Sequence, residues 1–268
     1  MEGTNQVETR LPQEMMRHTY PILYQVEETH WWHRGRRRII ESFVREICKS
    51  FKQRPRILDV GCGTGGNLNV LAQFGDAEGV DVSADALEFC RQRGLLNVRQ
   101  GAAEALPYDD DTFDLVTALD VVEHIDDDVA GLREFRRVLK PDGKILLFVP
   151  TFMFLWGVQD DVSHHRRRYR MPELRQAVER AGFVVERTTY ANITFFLPIF
   201  LGRKLMRITG LQTESENNIN VSALNGVFGA IFGAERAALR YLNFPFGVSG
   251  LCVARVNPDN VQNNSQQS

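Results

Sequence analysis

A short apolar run, Ile57–Val60, is followed at once by a glycine-rich turn, and this junction is the strongest constraint on the fold of the chain. The run has the length and composition of a buried strand, and a helical pattern begins at Asn67. Glycines between a strand and a helix permit a tight turn and let backbone N–H groups approach a ligand. Gly61, Gly63 and Gly66 also match the spacing G-x-G-x-x-G, which permits a dinucleotide.

Two acidic residues near this turn indicate which ligand it holds. Asp59 lies two positions before Gly61, where its carboxylate would repel a pyrophosphate and attract an ammonium or sulfonium group. Asp81 lies twenty residues after Gly61, the distance at which an acidic side chain accepts hydrogen bonds from ribose hydroxyls. The two acids predict a nucleoside with a cationic tail. The alternative, a glycine turn with a buried capping Asp and no ligand, requires both acids to be coincidental.

Strands and helices alternate along most of the remaining chain. Strands are predicted at 57–60, 78–82, 96–100, 114–119, 144–149, 183–189 and 250–256, and helices at about 65–74, 84–93, 127–139 and 171–181. Such alternation is typical of an α/β protein with a doubly wound, mainly parallel sheet that binds ligands at the carboxyl ends of its strands. An amphipathic helix is predicted at 35–51, so a helical segment precedes the sheet.

Several motifs in sequence order resemble those of one enzyme family. Leu58–Gly65 looks like motif I of the class I S-adenosylmethionine-dependent methyltransferases, and the likeness continues through Gly101–Tyr108, Phe113–Val116 and Leu139–Lys144. It covers roughly residues 55–190 and is similar to the ubiquinone-pathway-like, type 11 methyltransferase domain. The resemblance implies a Rossmann-like sheet of seven strands whose last strand is antiparallel, and S-adenosylmethionine as the cofactor.

The resemblance also implies a set of cofactor-binding residues. Asp59 would lie near the methionine moiety, Asp81 on the ribose, and Ala102 and Ala103 beside the adenine. The family often has Asp at the position of Ala102, so here the adenine amino group would need the backbone or Glu104. The complete expected set is Asp59, Gly61, Cys62, Gly63, Gly65, Asp81, Val82, Ala102, Ala103, Glu104, Leu119 and Asp120.

The segment after the fourth predicted strand offers a metal-binding or catalytic group. Asp120, Glu123 and His124 resemble an acidic-x-x-Glu-His motif that ubiquinone-pathway O-methyltransferases associate with a divalent metal. In other relatives the Glu-His pair packs beside the cofactor without a metal, and this interpretation is favoured. His124 is therefore a candidate catalytic residue at the border of the active site.

A basic segment, Ser163–Arg170, follows the fifth predicted strand. His164 or His165 could act as a general base because imidazole titrates near neutrality, and Tyr169 is a further catalytic candidate. Arg168 could hold a carboxylate or phosphate of the substrate. The alternative is a basic surface turn that precedes the next helix.

Trp31 and Trp32 stand together among charged residues before the N-terminal helix. They either anchor that helix to the core or form, with His33, part of a lid over the substrate pocket. The cluster Arg36–Arg38 opposes the helix dipole, which indicates an anionic group nearby unless these arginines are solvated.

An insertion of about fifty residues, 192–246, separates the last two strands and is too long for an ordinary connection. The insertion contains an apolar run with cations at 195–207, a polar loop at 213–220 and a helical pattern at 222–242. These features predict a helical cap over the acceptor pocket. The alternative for 195–207 is a peripheral contact with anionic lipid. Neither apolar run of the insertion reaches the roughly 20 residues needed to span a bilayer.

The composition limits the classes of binding partner and the cellular compartment that we expect. The net charge of −2 gives no global field for nucleic acid, and four scattered cysteines predict neither a zinc site nor a disulfide framework. Charges near the N-terminus and no long apolar run there predict no signal peptide, so we expect a cytoplasmic protein that could touch the inner membrane face.

The predicted organisation has five parts, each with its own role. They are an N-terminal segment with a lid helix (1–54), a cofactor-binding core (55–191), the helical cap (192–246), the last strand (247–256) and a disordered tail (257–268). The predicted function is methyl transfer from S-adenosylmethionine to an O or N atom, less readily C, of a small anionic or lipophilic molecule. The alternatives are a non-catalytic nucleoside-binding protein and an NAD-linked oxidoreductase.

Overall fold

A computed structural model describes residues 19–209 and 225–258. The start of the N-terminal segment, the polar loop at 213–220 and the tail from 259 onwards lie outside the described residues, so the prediction of a disordered tail stays a prediction.

A seven-stranded sheet forms the centre of the described chain, in the order β3-β2-β1-β4-β5-β7-β6. Its strands are β1 Arg56–Val60, β2 Asp76–Asp81, β3 Val98–Gln100, β4 Phe113–Leu119, β5 Leu139–Pro150, β6 Phe183–Ala191 and β7 Ser249–Val256. The first five strands pair in parallel, whereas β7 is antiparallel to both β5 and β6. The predicted Rossmann-like sheet and its antiparallel last strand are confirmed.

Helices cover both faces of the sheet. They are α1 Thr19–Val26, α2 Trp31–Cys48, α3 Leu68–Leu71, α4 Ala84–Gln92, α5 Asp128–Val138, α6 Val158–Val162, α7 Met171–Arg180, α8 Phe196–Thr209 and α9 Asn225–Leu239. Helix α3 is much shorter than the predicted 65–74. Positive φ angles at Gly61, Gly63 and Gly65 keep the turn before it out of the helical conformation.

Two layers of apolar side chains lie between the sheet and the helices. Side chains of α5 and α7, including Leu132, Phe135 and Leu174, pack against one face. Side chains of α2 and α9, including Ile40 and Phe232, pack against the other face. A sheet covered on both faces by helices leaves its carboxyl edge open for a ligand.

Helix α2 begins four residues earlier than predicted, at Trp31. Its N-cap is His30, whose Nδ1 accepts a hydrogen bond from the Trp32 backbone N–H at 3.3 Å. A Cβ on Gly35 would lie 2.7 Å from Phe232 Cγ, so the absence of a side chain there lets α2 and α9 pack closely. The two tryptophans therefore lie in the first turn of α2, next to the insertion.

The insertion contributes α8 and α9 to the described structure. Buried Glu235 of α9 accepts backbone hydrogen bonds from Asn192 at 2.7 Å and Thr194 at 2.9 Å, which fixes the start of the insertion. Among the helices within 19–209 and 225–258, none combines the length and the apolar character needed to cross a bilayer.

Candidate active site

A cavity of about 1380 Å³ lies at the carboxyl ends of β1, β2, β4 and β5. Its walls come from α1 and α2, the glycine turn, the loop after β4, the segment 159–168 and α8. The cavity therefore joins the predicted cofactor-binding residues to the predicted basic segment in one continuous space.

The glycine turn forms one wall of this cavity through Gly61, Cys62 and Gly63. The backbone N–H groups of Gly61 and Cys62 donate to Val80 O at 2.8 and 3.1 Å, which ties the turn to β2. Gly63 has φ +54°, and the nearest atom to a Cβ built there is Leu23 Cδ2, at 3.9 Å. Backbone is thus accessible at Gly63, as close contact with a ligand requires.

Gly65 has a structural role and lies outside the cavity wall. Its φ is +89°, and a Cβ there would lie 2.6 Å from Leu95 Cδ1 and 3.1 Å from Cys90 Sγ. Gly65 therefore helps to shape the turn, and its contact with the cofactor stays a prediction. The residue allows α4 and the loop after it to pack against the turn.

Asp81 lies at the end of β2, where the sequence placed a ribose-binding acid. Its Oδ2 accepts from the Gly63 backbone N–H at 2.8 Å, and its Oδ1 accepts from the Ser83 backbone N–H at 2.9 Å. These two bonds fix the carboxylate at the cavity wall. A carboxylate at the end of this strand is the group that accepts hydrogen bonds from ribose hydroxyls in a nucleoside site.

Asp59 is placed differently from the prediction. Its side chain is 1% exposed. Its neighbours Val60 and Gly61 line the cavity, whereas Asp59 is not among the described residues that do so. Oδ1 accepts a hydrogen bond from Thr117 Oγ1 at 2.7 Å, whereas Oδ2 has no partner among the described residues. Alternation along β1 directs Asp59 away from the side of Leu58 and Val60. The carboxylate thus lies behind the cavity wall.

Burial determines the charge of Asp59. Loss of solvent raises the pKa of its carboxyl to about 7, although the hydrogen bond from Thr117 and the charge of Arg36 oppose the rise. A carboxyl with this pKa is partly protonated at neutral pH. Its effect on a cationic ligand is therefore electrostatic and depends on pH.

The predicted adenine region is only partly as expected. Gly101, Ala103 and Glu104 line the cavity together with Val82. Ala102 is buried and pairs with Ala105 in an isolated bridge, so its side chain lies outside the lining. A contact of Ala102 with the adenine would therefore have to come from its backbone, and it stays a prediction.

Arg36 of α2 forms an ion pair with Asp120 at the end of β4. Its Nη2 lies 2.7 Å from Asp120 Oδ2, and its guanidinium lies over the rings of Trp32 at 5.2 Å and Phe148 at 4.9 Å. Arg36 is 5% exposed, so the interpretation of these arginines as solvated is wrong for Arg36. Asp120 has φ +62°, an uncommon conformation for a residue other than glycine. The pair brings one positive and one negative charge to the cavity wall.

Helix α1 is held against the glycine turn by Glu27. Its Oε2 accepts from Thr64 Oγ1 at 2.6 Å and from Arg93 Nη2 at 2.9 Å, and Arg93 Nε donates to Thr64 O at 2.8 Å. Burial raises the pKa of Glu27, while these partners oppose the rise. A Cβ on Gly66 would lie 2.6 Å from Glu27 Oε2, so the glycine makes room for this contact.

His165 and Arg168 of the predicted basic segment meet at Asp160. Asp160 Oδ1 lies 2.8 Å from His165 Nδ1 and accepts from Arg168 Nε at 2.8 Å. Burial would raise the pKa of Asp160, but the hydrogen bonds and charges of His165 and Arg168 outweigh it and lower the pKa to about 2. Asp160 is therefore ionised, and it orients the imidazole of His165 at the cavity wall.

Arg168 lines the cavity, although its charge is directed to the protein. Besides Asp160, it donates from Nη1 to Thr151 O at 2.9 Å. A buried guanidinium with an ionic partner is less available to a substrate anion than a free one. The predicted anion-binding role of Arg168 therefore stays a prediction, and its observed contacts support the loop.

His124 lies beside His165, with ring centroids 4.7 Å apart. Burial, followed by the charges of His165 and His164, lowers the pKa of His124 to about 3. His124 is thus neutral at physiological pH and a weak base. His164 also lines the cavity and has φ +56°.

The potential metal ligands are grouped differently from the sequence expectation. Glu123, His124 and His165 each offer one ligand atom, and these three atoms lie within 4.8 Å of one another. Asp120 instead forms an ion pair with Arg36. Both Glu123 carboxyl oxygens are buried without a hydrogen-bond partner among the described residues, and Oε1 lies 3.8 Å from His165 Nε2. Burial, reinforced by the charge of Asp120, raises the pKa of Glu123 well above its usual value, which favours the neutral acid. A neutral carboxylic acid is a poor ligand for a divalent cation.

Tyr169 lies in the hydrophobic core and not at the cavity. Its hydroxyl donates to Asp128 Oδ2 at 2.8 Å, and its ring packs with the core beneath the sheet. Burial, with the charge of Asp128, raises the pKa of the phenol. Tyr169 pairs with Thr151 in a parallel bridge, so the locally extended backbone turns Arg168 and Tyr169 to opposite sides. The prediction of a catalytic Tyr169 is wrong.

Trp31 and Trp32 pack as the anchoring interpretation predicts, whereas their role in a lid stays a prediction. Both line the cavity, and both pack against the core layer formed by α2 and α9. The ring centroid of Trp31 lies 4.6 Å from that of Phe195, at the start of the insertion. The tryptophans therefore anchor α2 and present aromatic surface to the cavity.

The insertion supplies the apolar end of the cavity. The lining residues from this part of the chain are Phe195, Pro198, Ile199, Gly202, Arg203, Met206 and Phe228. This lining is largely apolar, and it adjoins the His165–Asp160 pair, because Arg203 Nη1 lies 3.9 Å from Asp160 Oδ2.

Three residues of the site were missed by the sequence analysis, namely Arg36, Asp160 and Glu27. The positive charges at the start of α2 did indicate an anionic group nearby, and Asp120 is that group. Asp160 precedes His165 by five residues, so an acid near a candidate base was a usable signal. Glu27 gave no such signal, because its partners Thr64 and Arg93 are far away in sequence.

Comparison with known proteins gives the same assignment as the motifs. Residues 58–147 match the family model described as a methyltransferase domain. The chain is 36% identical over 124 residues to an uncharacterised methyltransferase, YcgJ, of Bacillus subtilis, covering 44% of this chain and 49% of the relative. It is 37% identical over 114 residues to the ubiquinone/menaquinone biosynthesis C-methyltransferase UbiE of Idiomarina loihiensis. The matched region covers 37% of this chain and 44% of that relative.

The fold has matches over most of the chain. A SAM-dependent methyltransferase from Thermotoga maritima superposes with a TM-score of 0.54 at 18% identity, covering 90% of this chain and 96% of that one. By sequence, the chain spans about half the length of the curated relatives it matches first. The domain match supports S-adenosylmethionine rather than NAD as the ligand of the glycine turn. Residues 58–147 of this chain are therefore similar in sequence to the methyltransferase domain of S-adenosylmethionine-dependent methyltransferases.

Proposed function

We propose that this protein transfers the methyl group of S-adenosylmethionine to an O or N atom of a small molecule, with His165 as the general base. One observation carries the proposal. The cavity that begins at Asp81 and the glycine turn continues without interruption to the His165–Asp160 pair.

The residues at the cofactor end fit the parts of S-adenosylmethionine. Asp81 offers acceptor positions for the ribose hydroxyls, and the backbone at Gly63 is open to close approach. The opposite charges of Arg36 and Asp120 suit the carboxylate and ammonium groups of the methionine moiety. When bound, the cofactor supplies an electrophilic methyl group on a sulfonium centre.

The acceptor end supplies alignment and a base. In-line displacement needs a nucleophile held at the methyl group and water kept away, which the apolar side chains of Phe195 and Met206 favour. A hydroxyl or ammonium acceptor must also lose a proton. His165 Nδ1 faces the ionised Asp160, which favours the tautomer with a proton on Nδ1 and leaves Nε2, 3.8 Å from Glu123 Oε1, as the acceptor.

The kind of acceptor atom follows from this base. An imidazole near an ionised carboxylate suits removal of a proton from oxygen or nitrogen. Methylation at carbon is the alternative, since UbiE of I. loihiensis is a C-methyltransferase. The mixed lining, in which the histidines lie near the apolar side chains of α8, supports an acceptor that carries both polar and lipophilic parts.

Binding and transfer can be measured separately. Isothermal titration should show binding of S-adenosylmethionine and S-adenosylhomocysteine but not NAD, and Asp81→Ala should weaken both interactions. Methyl-labelled S-adenosylmethionine is then offered with phenols, amines and enolisable ketones, which distinguish O, N and C transfer. Tight cofactor binding without transfer to any acceptor would favour a non-catalytic binding protein, and binding of NAD alone would refute the assignment.

A further inference from the structure

Helix α8 has apolar side chains on two opposite faces. Pro198, Ile199 and Met206 line the cavity. The outward face carries four exposed apolar side chains with fractional exposures of 59, 52, 58 and 72%, namely Leu197, Leu201, Leu205 and Ile208. Their spacing of four, four and three residues places them in one stripe along the helix. A helix that is apolar on both faces is typical of burial on both sides.

The exposed stripe continues onto neighbouring aromatic residues. The ring centroid of Phe154 lies 5.8 Å from that of Phe200, and the ring centroid of Phe246 lies 5.1 Å from that of Phe196. Phe154 and Phe246 are 46 and 43% exposed. The apolar surface therefore extends from α8 to the turn after β5 and to the segment before β7, which is more than scattered surface leucines provide.

Within the described part of the insertion, the exposed charges around this surface are positive. Lys204 is exposed on α8 between the leucines, and exposed Arg207 donates to Trp156 O. Within 192–209 and 225–246, the described residues include one acid, Glu235, which is buried and bonded to backbone N–H groups. An apolar stripe flanked by cations matches the interface of an anionic lipid layer, where side chains insert and cations meet headgroups.

We propose that the outward face of α8, formed by Leu197, Leu201, Leu205 and Ile208 with Lys204 and Arg207, binds an anionic lipid surface. Because the opposite face of the same helix lines the cavity, this contact places the acceptor end of the cavity next to the lipid. Lipid binding needs neither cofactor nor acceptor, so it can be tested independently of methyl transfer.

The test is co-sedimentation of the full chain with vesicles of phosphatidylcholine alone or mixed with phosphatidylglycerol. We expect the protein to sediment with the mixed vesicles, and high salt should weaken this binding without abolishing its apolar part. Leu205→Asp should lower the partition coefficient at least about tenfold, because it places a charge in the inserted stripe. Leu96→Asp is the control, since Leu96 is 75% exposed in the loop before β3.

A second variant tests the electrostatic part of vesicle binding separately from the apolar part. Lys204→Ala should weaken binding to the anionic vesicles only, and circular dichroism establishes that each variant is folded. Absence of sedimentation with any vesicle would overturn the proposal. Equal effects of Leu205→Asp and Leu96→Asp would also overturn it. A dimer in size-exclusion chromatography that Leu205→Asp dissociates, without vesicle binding, would assign the surface to a second copy instead.

Discussion

Arg36 Nη2 lies 2.7 Å from Asp120 Oδ2, and this ion pair connects the N-terminal helix α2 to the loop after β4. Arg36 is further fixed by the rings of Trp32 and Phe148 and by its contact with Asn67 Oδ1 at 3.4 Å. Both members of the pair line the cavity. The methionine end of the proposed cofactor site is therefore built from two parts of the chain that are distant in sequence.

Replacement of Arg36 should weaken cofactor binding specifically. Arg36→Met keeps much of the apolar stem but removes the cation, and we expect the Kd for S-adenosylmethionine to rise about tenfold or more. Arg38→Met is the matched control, because Arg38 lies in the same helix as Arg36 but donates to Gly229 O of α9. Isothermal titration measures both. Equal Kd values for the two variants would contradict a role of Arg36 in binding the methionine moiety.

The fold could largely be predicted because its signals are local. Apolar strands, the glycine turn and the alternation of elements are visible within short windows, and the strands were placed to within a few residues except β5, which starts at Leu139. Helix α1 was not predicted, because its contacts are with Thr64 and Arg93 and its own sequence has mixed character. Helix α3 was predicted too long because three positive φ angles, not hydrophobicity, define where it starts.

The site was predictable by position but not by side-chain direction. Asp59 and Tyr169 stand next to residues of the cavity wall, Val60 and Arg168, yet each points to the other side of an extended backbone. A shift of one residue along a strand reverses the side of the sheet that a side chain faces. Motif likeness identifies the segment, whereas the direction of each side chain depends on its exact register.

Removal of the His165 imidazole should affect catalysis more than binding. With an acceptor found in the screen, His165→Gln should lower kcat by about a hundredfold or more while the Kd for S-adenosylmethionine stays constant. Asp160→Asn should lower kcat less and change the pH–rate profile, because Asp160 only orients the imidazole. Steady-state kinetics over pH measures both effects, with His164→Gln as the control. A larger loss of kcat in His164→Gln would transfer the base role to His164.

Replacement of Glu27 should release α1 from the glycine turn. Glu27→Gln loses the charge that faces Arg93 and weakens the bond with Thr64, so amide exchange in 19–26 should become faster and the cofactor Kd should rise. Arg91→Met is the control, because Arg91 pairs with Glu88 on the exposed side of the neighbouring α4. Amide hydrogen exchange, monitored by mass spectrometry with and without S-adenosylhomocysteine, compares the two variants with the unmodified protein. Unchanged exchange in α1 would show that Glu27 does not hold the helix.

Glu123→Gln distinguishes a buried neutral acid from a metal ligand. Because burial raises the pKa of Glu123 well above its usual value, the amide should replace the acid with little change in stability or activity. Dialysis against a chelator should likewise leave activity unchanged. Loss of activity in both experiments, with recovery on addition of a divalent cation, would instead assign Glu123, His124 and His165 as a metal site.

Asp59 should make both stability and cofactor preference depend on pH. Because burial raises its pKa from 3.8 to about 7, the folded protein holds a proton that the unfolded chain has lost between these values. Stability should therefore fall as the pH rises through this window, by roughly 4 kcal/mol in total at most. Denaturant unfolding measures this slope, which Asp59→Asn should remove.

The same ionisation should affect the choice between S-adenosylmethionine and S-adenosylhomocysteine, which differ by the sulfonium charge. A cation near Asp59 favours the carboxylate, so the affinity ratio of the two ligands should rise severalfold, up to about tenfold, from pH 6 to pH 8. Asp59→Asn should abolish the rise. Thr117→Val should move it to higher pH, because the Thr117 hydroxyl stabilises the ionised form. A ratio that is constant with pH in the unmodified protein would mean that Asp59 does not contribute to recognition of the sulfonium.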